Sequence, residues 1–236
     1  MQETIRISGK DLGAIALADF CPRCFWVKLH NKGQIPFQIF PGIFSSIDAY
    51  TKRVVHAWFD EAGGPPPWLK ELDGVIGYKE PPTYHKFNTI VDEFGINLTG
   101  SPDGVFVRRD GSFMIVDYKT AKFTGNQDNL HPMYEAQLNA YAYISERIGF
   151  GSVSGLALIY MEPVTDDKTA GHSQNRRPDG FTMPFTANVL PVTLDSTILR
   201  PLFKITRETW ERPSPPPQTP TCKDCKKLHD LIQRMK

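Results

Sequence analysis

All the cysteine in this 236-residue chain lies in two Cys-x-x-Cys pairs, Cys21/Cys24 and Cys222/Cys225, one near each end. A two-residue spacing lets both thiolates of a pair bind one metal centre. A centre shared by the two pairs would pin the termini together across the core. The proline-rich run PSPPPQTP, residues 213–220, reaches roughly 25 Å as polyproline helix, long enough to bring the second pair back. Zinc suits a Cys₄ tetrahedron, and Cys-Pro-x-Cys is a zinc-knuckle form, but a [4Fe–4S] cluster also takes four cysteines, so the residue pattern leaves both open. Nothing near the cysteines offers an open substrate position, and the centre reads as structural.

Between the pairs, a 40% hydrophobic content supports one sizeable core, so one domain is expected over residues 1–236. It divides into a helical part with the first cysteine pair (1–70), a core (71–190), and a C-terminal helix, proline-rich linker and second pair (191–236). A net charge of +1 carries no global basic field, which argues against a nonspecific DNA coat but leaves room for a local basic groove. No apolar run is long enough for a membrane span, and the N-terminus lacks an apolar signal core. A cytoplasmic, reducing location is the expectation, with few disulfides.

The stretch GSPDGVFVRRDGSFMIVDYKT, residues 100–120, reads as a hairpin with acids at both ends. β-Branched and aromatic residues mark the strands, and Asp110-Gly111 marks the turn. With Arg109-Asp110-Gly111 as the loop, Arg108 faces Ser112 and Asp103 lands opposite Asp117. Side chains alternate, so Asp117 and Lys119 share a face while Tyr118 points away. Two carboxylates and an ammonium thus gather at one point. Carboxylate oxygens suit Mg²⁺ or Mn²⁺. A cation there polarises a phosphodiester and lowers the pKa of bound water, and Lys119 can orient that water.

Elsewhere, Ser8 caps a short helix to about Phe20, and a firmer helix runs from about Ser46 to Ala62 with Ile47, Tyr50, Val54, Trp58 and Phe59 as its inward stripe. His56 lies beside that stripe. GGPPPW breaks the helix, and extended segments follow near 75–79, 84–91 and 94–99. A helix from His131 to about Ile148 places Gln137 and Tyr141 four apart on one face, with Leu138, Tyr141 and Ile144 able to pack. A buried strand is expected at 154–161, an irregular polar loop at 165–180, a strand near 181–185 and a helix from about Leu194 to Glu211.

Pro102-Asp103 with Asp117-Tyr118-Lys119 resembles the PD-(D/E)XK nuclease superfamily. Gln137 and Tyr141 look like the Q-x-x-x-Y motif of its RecB-like branch, and His56 looks like that branch's upstream metal-binding histidine. The resemblance spans about residues 5–230. It implies an α/β, restriction-endonuclease-like core, a central mixed β-sheet flanked by helices, with an N-terminal helical region and a metal staple joining the termini. It implies a Mg²⁺- or Mn²⁺-dependent deoxyribonuclease, exonuclease or endonuclease, acting on single-stranded DNA or DNA ends. In that reading His56, Asp103, Asp117 and the Tyr118 carbonyl hold the metal, Lys119 and Gln137 position the water, and the Tyr141 hydroxyl meets the DNA backbone.

CPRCFW looks like the first cysteine region of the CRISPR-associated adaptation nucleases, which share an iron–sulfur staple with AddB-type repair nucleases. That implies a [4Fe–4S] cluster, with Zn²⁺ as the alternative. The family pattern has one cysteine in front and three behind; here the split is two and two, and Leu228 and Leu231 stand where a third C-terminal cysteine would be sought. Spacer processing in CRISPR and DNA repair or recombination are the contexts implied, with a CRISPR integrase or a helicase as protein partner. The alternative from another class is a noncatalytic DNA-end-binding subunit of a larger complex.

Overall fold

The computed structural model describes residues 3–31, 41–125 and 128–235. It has an α/β architecture: a mixed central sheet flanked by helices. After strand β1 (Ile5–Ser8), Ser8 Oγ accepts from the Asp11 amide at 3.1 Å and starts the short helix α1 (Gly9–Gly13). Helix α2 (Pro22–His30) carries Cys24, and α3 (Gly42–Ala62) ends on Gly63 in the left-handed conformation. Then come β2 (Val75–Tyr78), β3 (Asn88–Val91), β4 (Ile96–Thr99), β5 (Gly104–Arg108) and β6 (Phe113–Lys119). Helix α4 (His131–Arg147) crosses to β7 (Val153–Pro163). The polar stretch holds α5 (Asp167–Gly171), β8 (Arg176–Arg177) and β9 (Gly180–Phe181). Strand β10 (Phe185–Val192) and helices α6 (Leu199–Trp210) and α7 (Lys223–Arg234) complete the chain.

The main sheet has the order β10-β7-β6-β5-β2, with β6 and β7 parallel and the other pairs antiparallel. A parallel pair needs a crossover, and α4 supplies it, lying across the face where β6 and β7 meet. A second sheet, β1-β4-β3, has β1 parallel to β4. Arg207 on α6 ties this sheet down, donating to the carbonyls of Glu3, Phe94 and Gly95 at 2.7–3.0 Å.

Alternation along β6 feeds two cores. Phe113 and Ile115 pack on the α4 side with Leu138, Ile144 and Leu158. Met114, Val116 and Tyr118 pack on the α3 side with Val55, Phe59 and Ile159. Apart from its ends, the strand is inaccessible on both faces, the pattern of a central strand in a covered sheet.

Several elements differ from the sequence reading. The first helix yields to a 3₁₀ turn at Ala14–Ala16 and does not reach Phe20. Helix α3 begins four residues earlier than expected and turns a different face inward: Thr51, Val55 and Phe59 are buried, whereas Tyr50 and Trp58 are exposed. Tyr50 and Val54 instead line an apolar cleft of about 600 Å³ with Trp68, Met161 and Phe185. The sequence reading names no strand before Ser8, yet Ile5 and Ile7 alternate inward against β4. β10 extends well past the expected 181–185 strand. Pro191 inside it masks the signal, and the sheet tolerates that proline because β10 is an edge strand.

Candidate active site

The β5–β6 hairpin has the register that its turn demands. Val107 pairs with Phe113, and the Arg108 amide donates to the Ser112 carbonyl at 2.9 Å. Gly111 closes the loop at φ 81°, a conformation that glycine adopts without strain. Asp110 Oδ1 accepts from the Ser112 amide at 2.9 Å, completing the turn. Continuing that register outward sets Asp103 across from Asp117. Asp103 Oδ2 accepts from the Tyr118 amide at 3.1 Å, so the carboxylate stands in for a ladder carbonyl where β5 begins.

Four elements converge on this point. Asp117 and Lys119 come from the C-terminal end of β6, Asp103 from the entry to β5, Gln137 and Tyr141 from α4, and Asp48 from α3. Together with Lys10, Phe44, Ser45 and Tyr134 they line a cleft of about 390 Å³. Asp117 is 3% exposed. Its Oδ1 accepts from Gln137 Nε2 at 3.1 Å, and its Oδ2 is in ionic contact with Lys119 Nζ. The Lys119 ammonium also sits 4.0 Å over the Tyr134 ring. Gln137 Nε2 donates a second time, to the Tyr141 hydroxyl at 2.9 Å. Tyr141 both packs and bonds, held against Gly100, where a Cβ would come within 2.4 Å of its ring.

The electrostatics show carboxylates crowded out of water. Burial pushes Asp117 up from 3.8 to about 7; Lys119 opposes that shift and Asp103 adds to it. Asp48 is raised by burial and then by Asp103. Lys52, one turn along α3, bridges the two acids, 3.0 Å from Asp48 Oδ2 and 2.9 Å from Asp103 Oδ1. Burial alone would lower its pKa, but the two carboxylates outweigh it and the net shift is upward. Even so, two buried acceptors around the cleft lack a hydrogen-bond donor, Asp48 Oδ1 and Gln137 Oε1, while Asp117 Oδ2 has only the Lys119 ammonium. Each unsatisfied acceptor of this kind costs about 1–3 kcal/mol. A hard divalent cation is the partner that such an oxygen set suits.

The structure therefore brings together Asp103, Asp117, Lys119, Gln137 and Tyr141, with the Tyr118 side chain turned to the opposite core. It does not bring His56 into the cluster. That ring stacks on Tyr78 at 3.9 Å, and its Nδ1 is 3.3 Å from Glu80 Oε1. The turn of α3 that stands over the strand ends carries Asp48 and Lys52, and His56 falls one turn further along. Sequence reasoning missed Asp48 and Lys52. Their signal, an Asp and a Lys four apart on the helix face nearest the hairpin, was present, but the wrong helix face was taken as buried.

The cysteines converge at a separate place, between α2 and α7. Cys21 caps α2 and Cys222 caps α7, with Cys24 and Cys225 in the first turns. All four sulfurs lie within 4.8 Å of one another. Backbone amides of Cys24 and Thr219 outweigh burial and pull Cys21 down to about 7, whereas burial pushes the Cys24 thiol up. Four apposed thiols with no disulfide form a donor set for one metal centre.

An acidic hairpin, a lysine two residues past its second acid and a glutamine from the crossover helix thus meet in one cleft. A family model for the PD-(D/E)XK nuclease superfamily matches residues 49–227, and the chain belongs to that superfamily. No curated protein matches the chain. Among solved structures it is similar to "Crystal structure of SSO0001", at 14% identity and a TM-score of 0.41, over 91% of this chain and 80% of that one. No helix among the described residues is long and apolar enough to cross a membrane.

Proposed function

We propose that this protein is a Mg²⁺- or Mn²⁺-dependent deoxyribonuclease that hydrolyses phosphodiester bonds in single-stranded DNA or at DNA ends. The observation that carries the reading is the convergence of Asp48, Asp103, Asp117 and Lys119 on one cleft, with buried oxygens of Asp48 and Gln137 left without donors. Asp103, Asp117 and Asp48 would hold the cation, with the Tyr118 carbonyl as a further ligand. A cation held there supplies Lewis acidity at the phosphate and a lowered pKa for bound water.

The chain's own groups do the rest. Lys119 is paired with Asp117 and steered by the Tyr134 ring, so its ammonium can orient the attacking water and offset charge on the phosphate as it builds. Gln137 is fixed by its two donated bonds, which leaves its Oε1 free to accept from that water. Water adds to phosphorus, the bond to the leaving sugar oxygen breaks, and that oxygen takes up a proton. Tyr141, buried and bonded to Gln137, holds the glutamine in place. Placement in the RecB-like branch rests on Gln137 and Tyr141, and use in CRISPR spacer processing or in DNA repair follows from that placement.

The test is Mn²⁺-dependent cleavage of end-labelled single-stranded and duplex DNA by wild type and by Lys119→Ala. The variant should lose about 100-fold or more in rate while melting within a few degrees of wild type. Equal cutting by the two proteins would refute the role of Lys119. Metal-dependent DNA binding by wild type without any cleavage would favour a noncatalytic end-binding subunit.

A further inference from the structure

The four cysteines have a spacing that selects between the two centres their residue pattern leaves open. Cys24 Sγ is 3.4 Å from Cys225 Sγ and 3.5 Å from Cys222 Sγ, and Cys21 Sγ is 3.7 Å from Cys225 Sγ. No pair among the four exceeds 4.8 Å. Four sulfurs bound tetrahedrally to one zinc ion at about 2.3 Å stand about 3.8 Å apart. In a [4Fe–4S] cluster each cysteine binds a different iron, which spreads the sulfurs to about 6 Å, with the cluster's inorganic core between them. The observed cage has room for one ion and none for a cubane.

The cage is also held closed. Thr219 Oγ1 donates to the Phe20 carbonyl at 2.7 Å, on the residue just before Cys21. Arg23, between the cysteines of the first pair, donates from Nε to the Pro216 carbonyl at 3.0 Å and from Nη1 to Gln218 Oε1 at 3.3 Å. Trp26 Nε1 donates to the Arg212 carbonyl at 3.0 Å. These bonds strap residues 212–219 along α2 on the approach to the second pair. The local geometry of the two pairs also matches: each first cysteine caps a helix and each second cysteine lies in the first turn, with the Cys225 amide 3.5 Å from Cys222 Sγ. Two helix N-termini thus face the sulfurs. Two such knuckles, one from each end of the chain, compose a tetrahedron.

We infer that the four-cysteine cage holds a single tetrahedral zinc ion, a mononuclear clamp between the ends of the chain, and not the iron–sulfur cluster that the resemblance implies. The clamp is closed to substrate, since all four positions are filled by protein sulfur. It is separate from the acidic cleft in place and in chemistry, with soft thiolates at one site and hard carboxylates at the other.

The test is metal and sulfide analysis of full-length protein produced with iron and zinc both supplied and purified without oxygen, which protects any cluster. One zinc per chain, no acid-labile sulfide and no absorbance near 400 nm are expected. About four irons and four sulfides per chain with a brown colour would overturn the inference, and so would one iron without sulfide, which would remove zinc. Protein stripped of metal provides a second arm. Given Co²⁺ it should take up one equivalent and develop the intense visible bands of tetrahedral thiolate cobalt; given Fe²⁺, sulfide and thiol it should stay colourless near 400 nm. Failure to bind one Co²⁺, or assembly of a cluster, overturns the assignment. The double variant Cys222→Ser/Cys225→Ser should lose the bound zinc, and retention of a full equivalent would place the ion elsewhere. None of these readouts uses a nuclease substrate, so they are independent of the cleavage assay.

Discussion

Asp117 gives the cleft a pH signature that can be worked out before any substrate is known. The carboxylate is almost fully enclosed, and burial outweighs its Lys119 partner to push it from 3.8 to about 7 in the folded, metal-free protein. Between those values the folded state binds a proton that the unfolded state does not, so stability must fall as pH rises through the window. From pH 5 to pH 8 the folded group releases its proton over about two units of free titration. At about 1.4 kcal/mol per unit, the loss is about 3 kcal/mol. For a chain of this size that is a drop of roughly 5–10 °C in melting temperature.

The assay is urea unfolding with chelator present, at constant ionic strength, at several pH values from 5 to 8. Ordinary carboxylates are ionised in both states across that range and contribute little, while Cys21, drawn down to about 7, adds stability as pH rises past 7 and does so equally in the Asp117 variant. Asp48 is raised for the same reasons and adds in the same direction. Asp117→Asn should flatten most of the slope. Saturating Mg²⁺ or Mn²⁺ should reverse the loss at pH 8, because the cation binds only the ionised site and stabilises by mass action. A slope that is the same in wild type and Asp117→Asn would refute the reasoning, since the proton would then be bound elsewhere.

Other outcomes follow from the same geometry. Lys52→Met removes the ammonium between Asp48 and Asp103, so Mn²⁺ should bind about 3- to 10-fold more tightly by calorimetry; unchanged binding would show that Lys52 does not compete for those oxygens. Gly100→Ala should cost about 1–3 kcal/mol by denaturation, because its Cβ meets the Tyr141 ring at 2.4 Å in packed surroundings, and a wild-type midpoint would contradict this. His56→Ala should change Mn²⁺ affinity by less than about twofold, because the ring is engaged with Tyr78 and Glu80. A tenfold loss would return the histidine to the metal site.

How much of the site could be read in advance depends on the range over which each contact is specified. The Asp103–Asp117 juxtaposition is local: a turn at Asp110-Gly111 sets the register, and strand periodicity decides which side chains share a face. The Gln137–Tyr141 pair is local too, since four residues make one helical turn. Asp48 and Lys52 were not legible, because the choice of inward face on α3 is made by what the helix lands on. Of the expected stripe only Phe59 is buried, and Thr51 and Val55 take the other inward places. Tyr50 came to line an open cleft with Trp68 and Phe185. The position expected for a histidine ligand failed for the same reason, one turn of helix away.

The sequence alone determined the hairpin with its two acids, the lysine beside them, the crossover helix that follows and the presence of a four-thiol centre, because turn chemistry, strand alternation and ligand spacing act over a few residues. Tertiary structure decided the rest. It placed α3 so that Asp48 and Lys52 close the cleft, added β1 and β10 by pairing them with distant strands, and drew the sulfurs to within 4.8 Å of one another. Those outcomes depend on the docking of segments up to 200 residues apart, and no local propensity encodes the separation at which two docked helices come to rest.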